Sequence, residues 1–245
     1  MYCEVQIDIA SVQRIVLRSQ SDGVVCSIDQ GEPDMAIECT DAQELASAIS
    51  DGLSNKPFIP NPTLAQSAVR YLLATIGEDV NRAGLLDTPK RVVKALQEMT
   101  SGSLVDTTKV LGTMFDETSD EMILVRGIRY VSLCEHHLLP FIGTATLAYI
   151  PKAKVVGLSK LPRLVEAFSR RPQMQERLTQ QIAKQMWDSL DPIGVGVVMQ
   201  AKHSCMGCRG VRQPDADMVT SCLLGNFRES AVRQEFFSLA SIEKN

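Results

Sequence analysis

The sequence has no long apolar run and no excess of basic charge. No apolar stretch approaches the roughly 20 residues that a membrane-spanning helix requires. The formal net charge is −4 over 245 residues, so the chain lacks the overall positive field that draws proteins to nucleic acids. We therefore expect neither a membrane nor a nucleic acid as a partner. Any polyanion must be bound by a local cluster of lysine and arginine.

The sequence also lacks a secretory signal and the cysteine pattern of a disulfide-stapled fold. The first ten residues (MYCEVQIDIA) contain no basic region and carry acidic residues among the apolar ones, unlike a signal peptide. The expected location is therefore the cytoplasm. The 7 cysteines are odd in number, and the chain is too long for a disulfide mini-protein. In a reducing compartment, clustered Cys and His indicate a metal site before they indicate disulfides.

Residues 1–56 are expected to form a small β-rich extension of unknown role. A segment with three prolines at 55–62 indicates a linker after it. About 50 residues is marginal for an independent core, so this extension must lean on the rest of the chain or on a partner. Apolar alternation and turn signals predict a helix over 41–50 and strands near 3–9, 14–17, 24–28 and 35–39.

Residues 57–245 are expected to form the main domain, of the α+β class. Strands and helices are mixed in an order that favours hairpins over strict strand–helix alternation. Apolar residues at helical spacing predict helices over 64–76, from 88 onward, over 162–190 with a break near 171–172, and over 231–240. Strands are predicted over 122–133, 143–150, 154–158, 195–201 and 217–224.

Two short segments concentrate the residues that bind metals. The first is CEHH at 134–137, directly after a predicted strand, and the second is HSCMGC at 203–208. All three histidines of the chain lie in these segments, which core packing does not explain. Thiolate and imidazole ligands together suit Zn²⁺ in tetrahedral geometry.

The residues alone leave the kind of site open. Cys134, His137, Cys205 and Cys208 could close a structural zinc site, or three of them could hold zinc and leave the fourth position to water, as catalytic sites do. The pair Cys205 and Cys208 could instead be a redox motif, but we expect it outside the strand–helix context of thioredoxin-like motifs. The absence of any metal is the remaining alternative.

The long separation of the two segments favours the open, catalytic arrangement. Structural zinc knuckles usually pair across about 12–20 residues, whereas a fold gathers catalytic ligands from distant positions. Three further residues, Glu135, His136 and His203, would lie beside the metal without an evident structural task. General acid–base chemistry would give the two histidines a use.

Several longer motifs resemble GTP cyclohydrolase I. The resemblance covers about 62–242 in order and without large gaps, and residues 1–60 match nothing in the family core. Because several independent motifs agree, the signal is more specific than any one of them. The motifs are GLLDTPKRV at 84–92, SLCEHH at 132–137, AYIP at 148–151, GLSK at 157–160, RPQMQERLT at 171–179 and HSCMGCRGV at 203–211.

This resemblance implies a reaction and a metal. In the family, GTP is hydrolysed at C8, formate leaves, and the opened ribose recloses to give 7,8-dihydroneopterin triphosphate. The resemblance implies that Zn²⁺ is held by Cys134, His137 and Cys205, with Cys208 left unassigned. By family position, His203 is the proton donor at N7 of guanine. His136 is expected to face the sugar and assist proton transfer, or alternatively to support the zinc ligands.

The resemblance also implies how GTP is bound. Glu176 corresponds to a carboxylate that accepts the N1–H and 2-amino donors of guanine, an edge that adenine lacks, and Gln175 is expected to assist it. Ser159 corresponds to a residue near the ribose and phosphates, or it caps a helix. Arginine suits phosphate through its planar fork. The expected phosphate-binding cations are Lys160, Arg163, Arg209, Arg91 and Lys94.

The family fold is the T-fold, an antiparallel sheet flanked by helices that closes into a barrel when subunits assemble. The resemblance implies a homo-oligomer, commonly a decamer of two pentamers, with active sites between subunits. Two other functions stay possible, namely a zinc-stabilised binding module and a related T-fold enzyme that acts on another purine or pterin. The downstream product, whether folate, biopterin or a modified tRNA base, stays open.

Overall fold

A computed structural model describes residues 61–117 and 119–241 in full, and the backbone of 3–7 and 15–19. The chain divides into two compact units, Met1–Lys94 and Ala95–Asn245. Within the described residues, no helix is long and apolar enough to cross a membrane.

The first unit contains a two-stranded hairpin and a helix. Strands β1 (Cys3–Ile7) and β2 (Ile15–Ser19) pair in antiparallel fashion, which confirms the first two predicted strands. Helix α1 (Pro62–Thr75) begins after Asn61, whose side chain accepts from two backbone N–H groups of the first turn. The predicted elements at 24–28, 35–39 and 41–50, and the boundary between 56 and 57, lie outside the described residues.

Helix α2 (Thr88–Met99) begins at the predicted position and runs from the first unit into the second. Single-turn helices in the second unit are α3 (Thr107–Val110) and α6 (Ser204–Gly207). The longer helices are α4 (Lys160–Ser169), α5 (Gln175–Leu190) and α7 (Ser230–Ala240). The strands are β3 (Met114–Phe115), β4 (Ile123–Cys134), β5 (Pro140–Ile150), β6 (Val155–Val156), β7 (Pro172–Gln173), β8 (Gly194–His203) and β9 (Met218–Gly225).

The second unit is built on a five-stranded sheet in the order β7-β4-β5-β8-β9. The pairs β4–β5, β5–β8 and β8–β9 are antiparallel, and only β7 lies parallel to its neighbour β4. Strands β3 and β6 form a separate two-stranded ladder. This mixture of a largely antiparallel sheet and helices confirms the α+β class. The sequence predicted only a break near 171–172, where the structure adds the short strand β7 at the sheet edge.

The core lies between one face of the sheet and helices α4 and α5. Helix α5 presents Leu178, Ile182 and Met186 at four-residue spacing, and all three are fully buried. Alternation along β5 sends Leu147 into this core and Ala148 to the opposite face, where α7 packs with Phe236. Because one face carries two long helices, the sheet's strand ends are held in fixed positions relative to the first turn of α5.

At Gly143, β5 lies close to the backbone of β8. A Cβ at this position would lie 1.9 Å from the carbonyl oxygen of Gln200, and a backbone atom cannot move aside as a flexible side chain can. We expect Gly143→Ala to lower the free energy of unfolding by about 2 kcal/mol or more, in the range of overpacked cores. Thermal unfolding at fixed protein concentration measures the effect.

The matched control is Gly157→Ala. A Cβ at Gly157 would meet its nearest neighbours at 3.7 Å, an ordinary van der Waals contact, and the loss of chain entropy in the unfolded state slightly favours alanine there. We expect its unfolding midpoint to stay within the error of the parent chain or to rise. Equal destabilisation by both variants would contradict the steric argument.

Candidate active site

The strand register brings the two Cys/His segments together. Leu133 pairs with Pro140 across the β4–β5 turn, and Phe141 pairs with His203 at the end of β8. Cys134 closes β4 by donating its backbone N–H to Leu139 at 2.8 Å. The tight turn that follows carries His137, and the first turn of α6 follows His203. Residues that are far apart in the sequence therefore meet at one end of the sheet.

Cys134, His137 and Cys205 form a group with the geometry of a metal site. Their ligand atoms all lie within 4.8 Å of one another, and Cys134 Sγ lies 3.9 Å from His137 Nδ1. Tetrahedral zinc with ligand distances of about 2.1–2.3 Å requires separations of about 3.5–4 Å between ligands. The donors fit Zn²⁺ in number and type, and the Cys134–His137 separation also fits its spacing. This is the only group of three or more possible ligands within the described residues.

Cys208 is not part of this group. Its thiol is exposed, whereas Cys205, one turn earlier, faces Cys134. The pair does follow a strand, with Cys205 on a short helix and Cys208 as the residue after it. The helix is a single turn on an antiparallel ladder, however, and not the crossover of a thioredoxin-like motif.

Electrostatics at the thiols favour a cation. Burial raises the pKa of the Cys205 thiol, and the neighbouring Cys134 raises it further. The Cys205 thiol beside Cys134 therefore resists becoming a thiolate by itself. A divalent cation between them would reverse this preference, because metal binding requires and stabilises the deprotonated form.

Two other side chains contact the ligands directly. His136 Nδ1 lies 3.8 Å from Cys134 Sγ, so the second histidine of the CEHH segment lies beside the group. Arg209 donates from Nη1 to His137 Nε2 at 3.1 Å. This arginine, predicted from the family to bind phosphate, therefore lies at the edge of the metal group.

Glu135 has a structural task that the sequence did not reveal. Its carboxylate forms an ion pair with Arg177, and Arg177 also donates to Gln173 Oε1 at 3.4 Å. The backbone N–H of Glu135 bonds the Gln173 carbonyl at 3.1 Å. The assumption that Glu135 lies beside the metal without a structural task was therefore wrong, because it ties the CEHH turn to β7 and α5.

His203 is held on two sides. Its ring stacks on Phe141 with centroids 4.5 Å apart and planes inclined by 5°. Its Nε2 lies 2.8 Å from Gln175 Oε1. Burial lowers the pKa of His203, and the nearby Glu176 carboxylate opposes this by raising it. An imidazole with one nitrogen engaged can take up and release a proton at the other.

Gln175 and Glu176 differ sharply in exposure although they are neighbours on α5. Gln175 is 1% exposed, and the two hydrogens of its side-chain nitrogen are shared among two backbone carbonyls and one hydroxyl within hydrogen-bond distance. Glu176 is exposed at the first turn of the helix. The structure thus leaves the Glu176 carboxylate accessible to a ligand, whereas the Gln175 amide is engaged within the protein.

Apart from Arg209, the residues predicted to bind the phosphates lie on other elements. Ser159 occupies the position before α4 but its hydroxyl caps no backbone N–H, which removes support from the helix-cap alternative. Lys160 and Arg163 follow on the first turn of α4. Arg91 and Lys94 lie on the part of α2 that belongs to the first unit, where Arg91 pairs with Asp87.

The contacts missed from the sequence are those that tertiary packing creates around His203, Glu135 and Gln175. Their partners are Phe141, Gln173, Thr179 and Thr220, and each occupies an ordinary strand or helix position. One local signal of such contacts is a polar residue at a position where the apolar pattern predicts burial. Gln173 and Thr179 are examples, since both are polar and buried.

The sequence is similar to known proteins over the part that carries this site. The family model of GTP cyclohydrolase I matches residues 65–241. A GTP cyclohydrolase 1 of Synechococcus sp. (strain JA-3-3Ab) is 56% identical over 177 residues, which cover 71% of this chain and 76% of the relative. The GTP cyclohydrolase 1 of Saccharomyces cerevisiae is 50% identical over 175 residues, covering 70% of this chain and 72% of the relative. The GTP cyclohydrolase 1 of Leptospira biflexa is 50% identical over 176 residues, which cover 71% of this chain and 96% of the relative. Because the model spans both Cys/His segments and α5, the chain belongs to the GTP cyclohydrolase I family.

Proposed function

We propose that this chain hydrolyses GTP at C8 of guanine and forms 7,8-dihydroneopterin triphosphate and formate, the entry to folate and other pterins. The observation that carries the proposal is the three-ligand group of Cys134, His137 and Cys205 beside a held histidine, His203. Family membership supplies the substrate class. The residues at the site supply the chemical groups that the reaction needs.

Zn²⁺ would be held by Cys134, His137 and Cys205. A zinc ion with three protein ligands supplies a hydroxide nucleophile at neutral pH. The exposed Cys208 lies outside the ligand group, which supports an open fourth position. Burial of Cys134 limits access of bulk water to one side of the site.

His203 is the proposed proton donor to guanine N7. Protonation of N7 makes C8 the most electrophilic carbon of the ring, so a group that titrates near neutrality is suited to this task. His136, next to a zinc ligand and exposed, is proposed to serve the ribose in the later rearrangement. Its contact with Cys134 also fits a supporting role for the metal group.

Glu176 is the proposed recognition group for guanine. Its exposed carboxylate lies near enough to His203 to influence that ring electrostatically, which is the placement required if one residue holds the pyrimidine edge while the other reaches N7. A carboxylate accepts from both N1–H and the 2-amino group. The family motif also predicts that Gln175 assists in binding the base. Its buried amide already makes hydrogen bonds within the protein, which leaves few groups free for that task.

The triphosphate is proposed to be bound by cations from several elements. Lysine and arginine provide the local positive charge that a chain of net charge −4 lacks overall. Ser159 lies next to them with a hydroxyl that caps no helix. The proposed set is Lys160, Arg163, Arg209, Arg91 and Lys94.

A homo-oligomer, with the family's decamer of two pentamers as the proposed form, would complete the T-fold. In the described part of the chain, β9 has a strand partner on one side only, and its Val219 is 60% exposed. An edge strand with an exposed apolar residue is a natural surface for a neighbouring subunit. Closure of the sheet into a barrel would follow from that pairing.

The metal group generates the first prediction for this function. We expect Cys205→Ser to lower bound zinc from one per chain to a small fraction and to abolish formate release, because the serine hydroxyl is a poor zinc ligand at neutral pH. Metal analysis measures the bound zinc, and an assay of formate and pterin fluorescence on the same preparation measures turnover. Cys208→Ser is the matched control and should keep zinc and turnover. If Cys208→Ser lost zinc to the same degree, the site would be a closed four-ligand one.

Recognition of guanine generates the second prediction. We expect Glu176→Ala to lower kcat/KM for GTP by about 100-fold or more, since charge-assisted hydrogen bonds are worth about 1.5–3 kcal/mol each. Inosine triphosphate lacks the 2-amino donor, so the preference for GTP over it should collapse in the variant. Steady-state kinetics with both nucleotides measure this.

Asp188→Ala removes an exposed carboxylate from the same helix and is the matched control. It should leave the nucleotide preference unchanged. Unaltered GTP turnover in Glu176→Ala would favour a related enzyme with another substrate. A zinc-loaded, assembled parent chain that releases no formate from GTP would favour a binding module.

A further inference from the structure

The Gln175 side chain has an orientation that its surroundings dictate. Its Nε2 faces the carbonyl oxygens of Met199 at 3.1 Å and Met218 at 2.9 Å, and Thr220 Oγ1 at 3.1 Å. Carbonyl oxygens carry no hydrogen, so only the amide NH₂ can face them. The amide oxygen must therefore point the other way, towards His203.

The hydroxyl groups of the same cluster agree with this orientation. Thr179 Oγ1 donates its single hydrogen to the Gln175 backbone carbonyl at 2.8 Å. Thr220 Oγ1, 2.6 Å from Thr179 Oγ1, must then be the donor of that pair. Its hydrogen is thereby used, and it faces the Gln175 amide with lone pairs only. Every hydrogen of the cluster is accounted for.

This orientation determines which nitrogen of His203 carries a hydrogen. Gln175 Oε1 is an acceptor, and it lies 2.8 Å from His203 Nε2, so Nε2 must donate. In a neutral imidazole the other nitrogen, Nδ1, then has the unshared pair. The Phe141 stack fixes the plane of the ring, and a 180° flip within that plane would break the hydrogen bond from Nε2 to Gln175.

We propose that Gln175 is a positioning residue that holds His203 as the Nε2–H tautomer, so that Nδ1 is the nitrogen that exchanges the proton with the substrate. The inference rests on the proposed function only for the identity of that substrate. It replaces the base-binding role predicted for Gln175 from the family motif. In this assignment Gln175 acts through His203 and does not touch GTP.

Magic-angle-spinning ¹⁵N NMR on histidine-labelled, zinc-loaded protein tests the tautomer directly. The chain contains three histidines, so a His203→Asn sample suffices to assign the ring, and an assembly of any size can be measured. At pH 8 without GTP we expect His203 to show a protonated Nε2 and an unprotonated Nδ1. A protonated Nδ1 in the parent chain would overturn the proposal, whatever the chain does to GTP.

Gln175→Met removes the acceptor while keeping similar volume. We expect the second tautomer of His203 to appear and kcat to fall about 10-fold or more, with KM for GTP changed less than twofold. The control Thr179→Val disturbs the same buried cluster without a contact to His203. It should lower the melting temperature and leave the ¹⁵N spectrum unchanged. A raised KM with an unaltered spectrum in Gln175→Met would restore the base-binding role.

A second inference follows from the contact between Arg209 and His137. An arginine can only donate, so Nε2 of His137, 3.1 Å from Arg209 Nη1, must offer a lone pair. A metal at Nε2 would take that pair. A metal at Nδ1 would leave the hydrogen of the neutral ring on Nε2, where no lone pair remains. Metal binding to either nitrogen therefore ends the contact.

We infer that Arg209 competes with the metal for His137, and that loading of the metal releases the guanidinium of Arg209 for an anionic ligand. Arg209 is exposed, so its released side chain can turn to solvent or to phosphate. Metal binding and anion binding are then linked, because the same contact must break for both.

Zinc affinity, measured by competition with a chromophoric chelator, tests the second inference. We expect Arg209→Met to bind zinc about 3- to 10-fold more tightly than the parent chain, since one modest hydrogen bond no longer opposes binding. Arg212→Met, which removes the same charge three residues away, is the control for simple charge repulsion. If both variants bound zinc equally tightly, or Arg209→Met bound it no more tightly than the parent chain, the competition would be refuted.

Discussion

The antiparallel register of β4, β5 and β8 is the constraint on which the site depends. Pairing of Leu133 with Pro140 and of Phe141 with His203 brings two distant segments to one end of the sheet. A shift of one residue would turn every side chain of a strand to the other face and would separate Cys134 from Cys205. The buried faces packed by α4 and α5, and the close approach at Gly143, oppose such a shift.

Much of the second unit could be predicted from the sequence because its patterns are regular. Apolar alternation and helical spacing located the long strands and helices but not the short elements α3, β3, β7 and α6. The concentration of all histidines in two segments located the metal group. The exclusion of Cys208 could not be predicted in this way. By sequence spacing, Cys205 and Cys208 are equally good candidates for the third metal ligand. Only the direction of the one-turn helix α6 shows which of them faces Cys134.

The difference in burial between Gln175 and Glu176 shows why the remaining contacts could not be predicted from the sequence. The two residues are adjacent, polar and part of one motif, so the sequence assigns them one task. On α5 they lie about 100° apart around the axis, which buries the first against β8 and β9 and exposes the second. Glu135 is similar, since its partner Arg177 lies on another element. Such pairings arise from tertiary packing, which no local pattern contains.

The chain of hydroxyl and amide groups behind His203 has a consequence for how the site responds to its ligand. A hydrogen bond in this chain can change direction only if the neighbouring hydrogen bonds change direction as well. Several of the bonds end on backbone carbonyl oxygens, which can only accept. Such a chain has one arrangement of low energy and resists thermal fluctuation as a unit. The imidazole of His203, the proposed proton donor, is therefore preorganised, and little reorganisation energy would remain to be overcome in a proton transfer to the nucleotide.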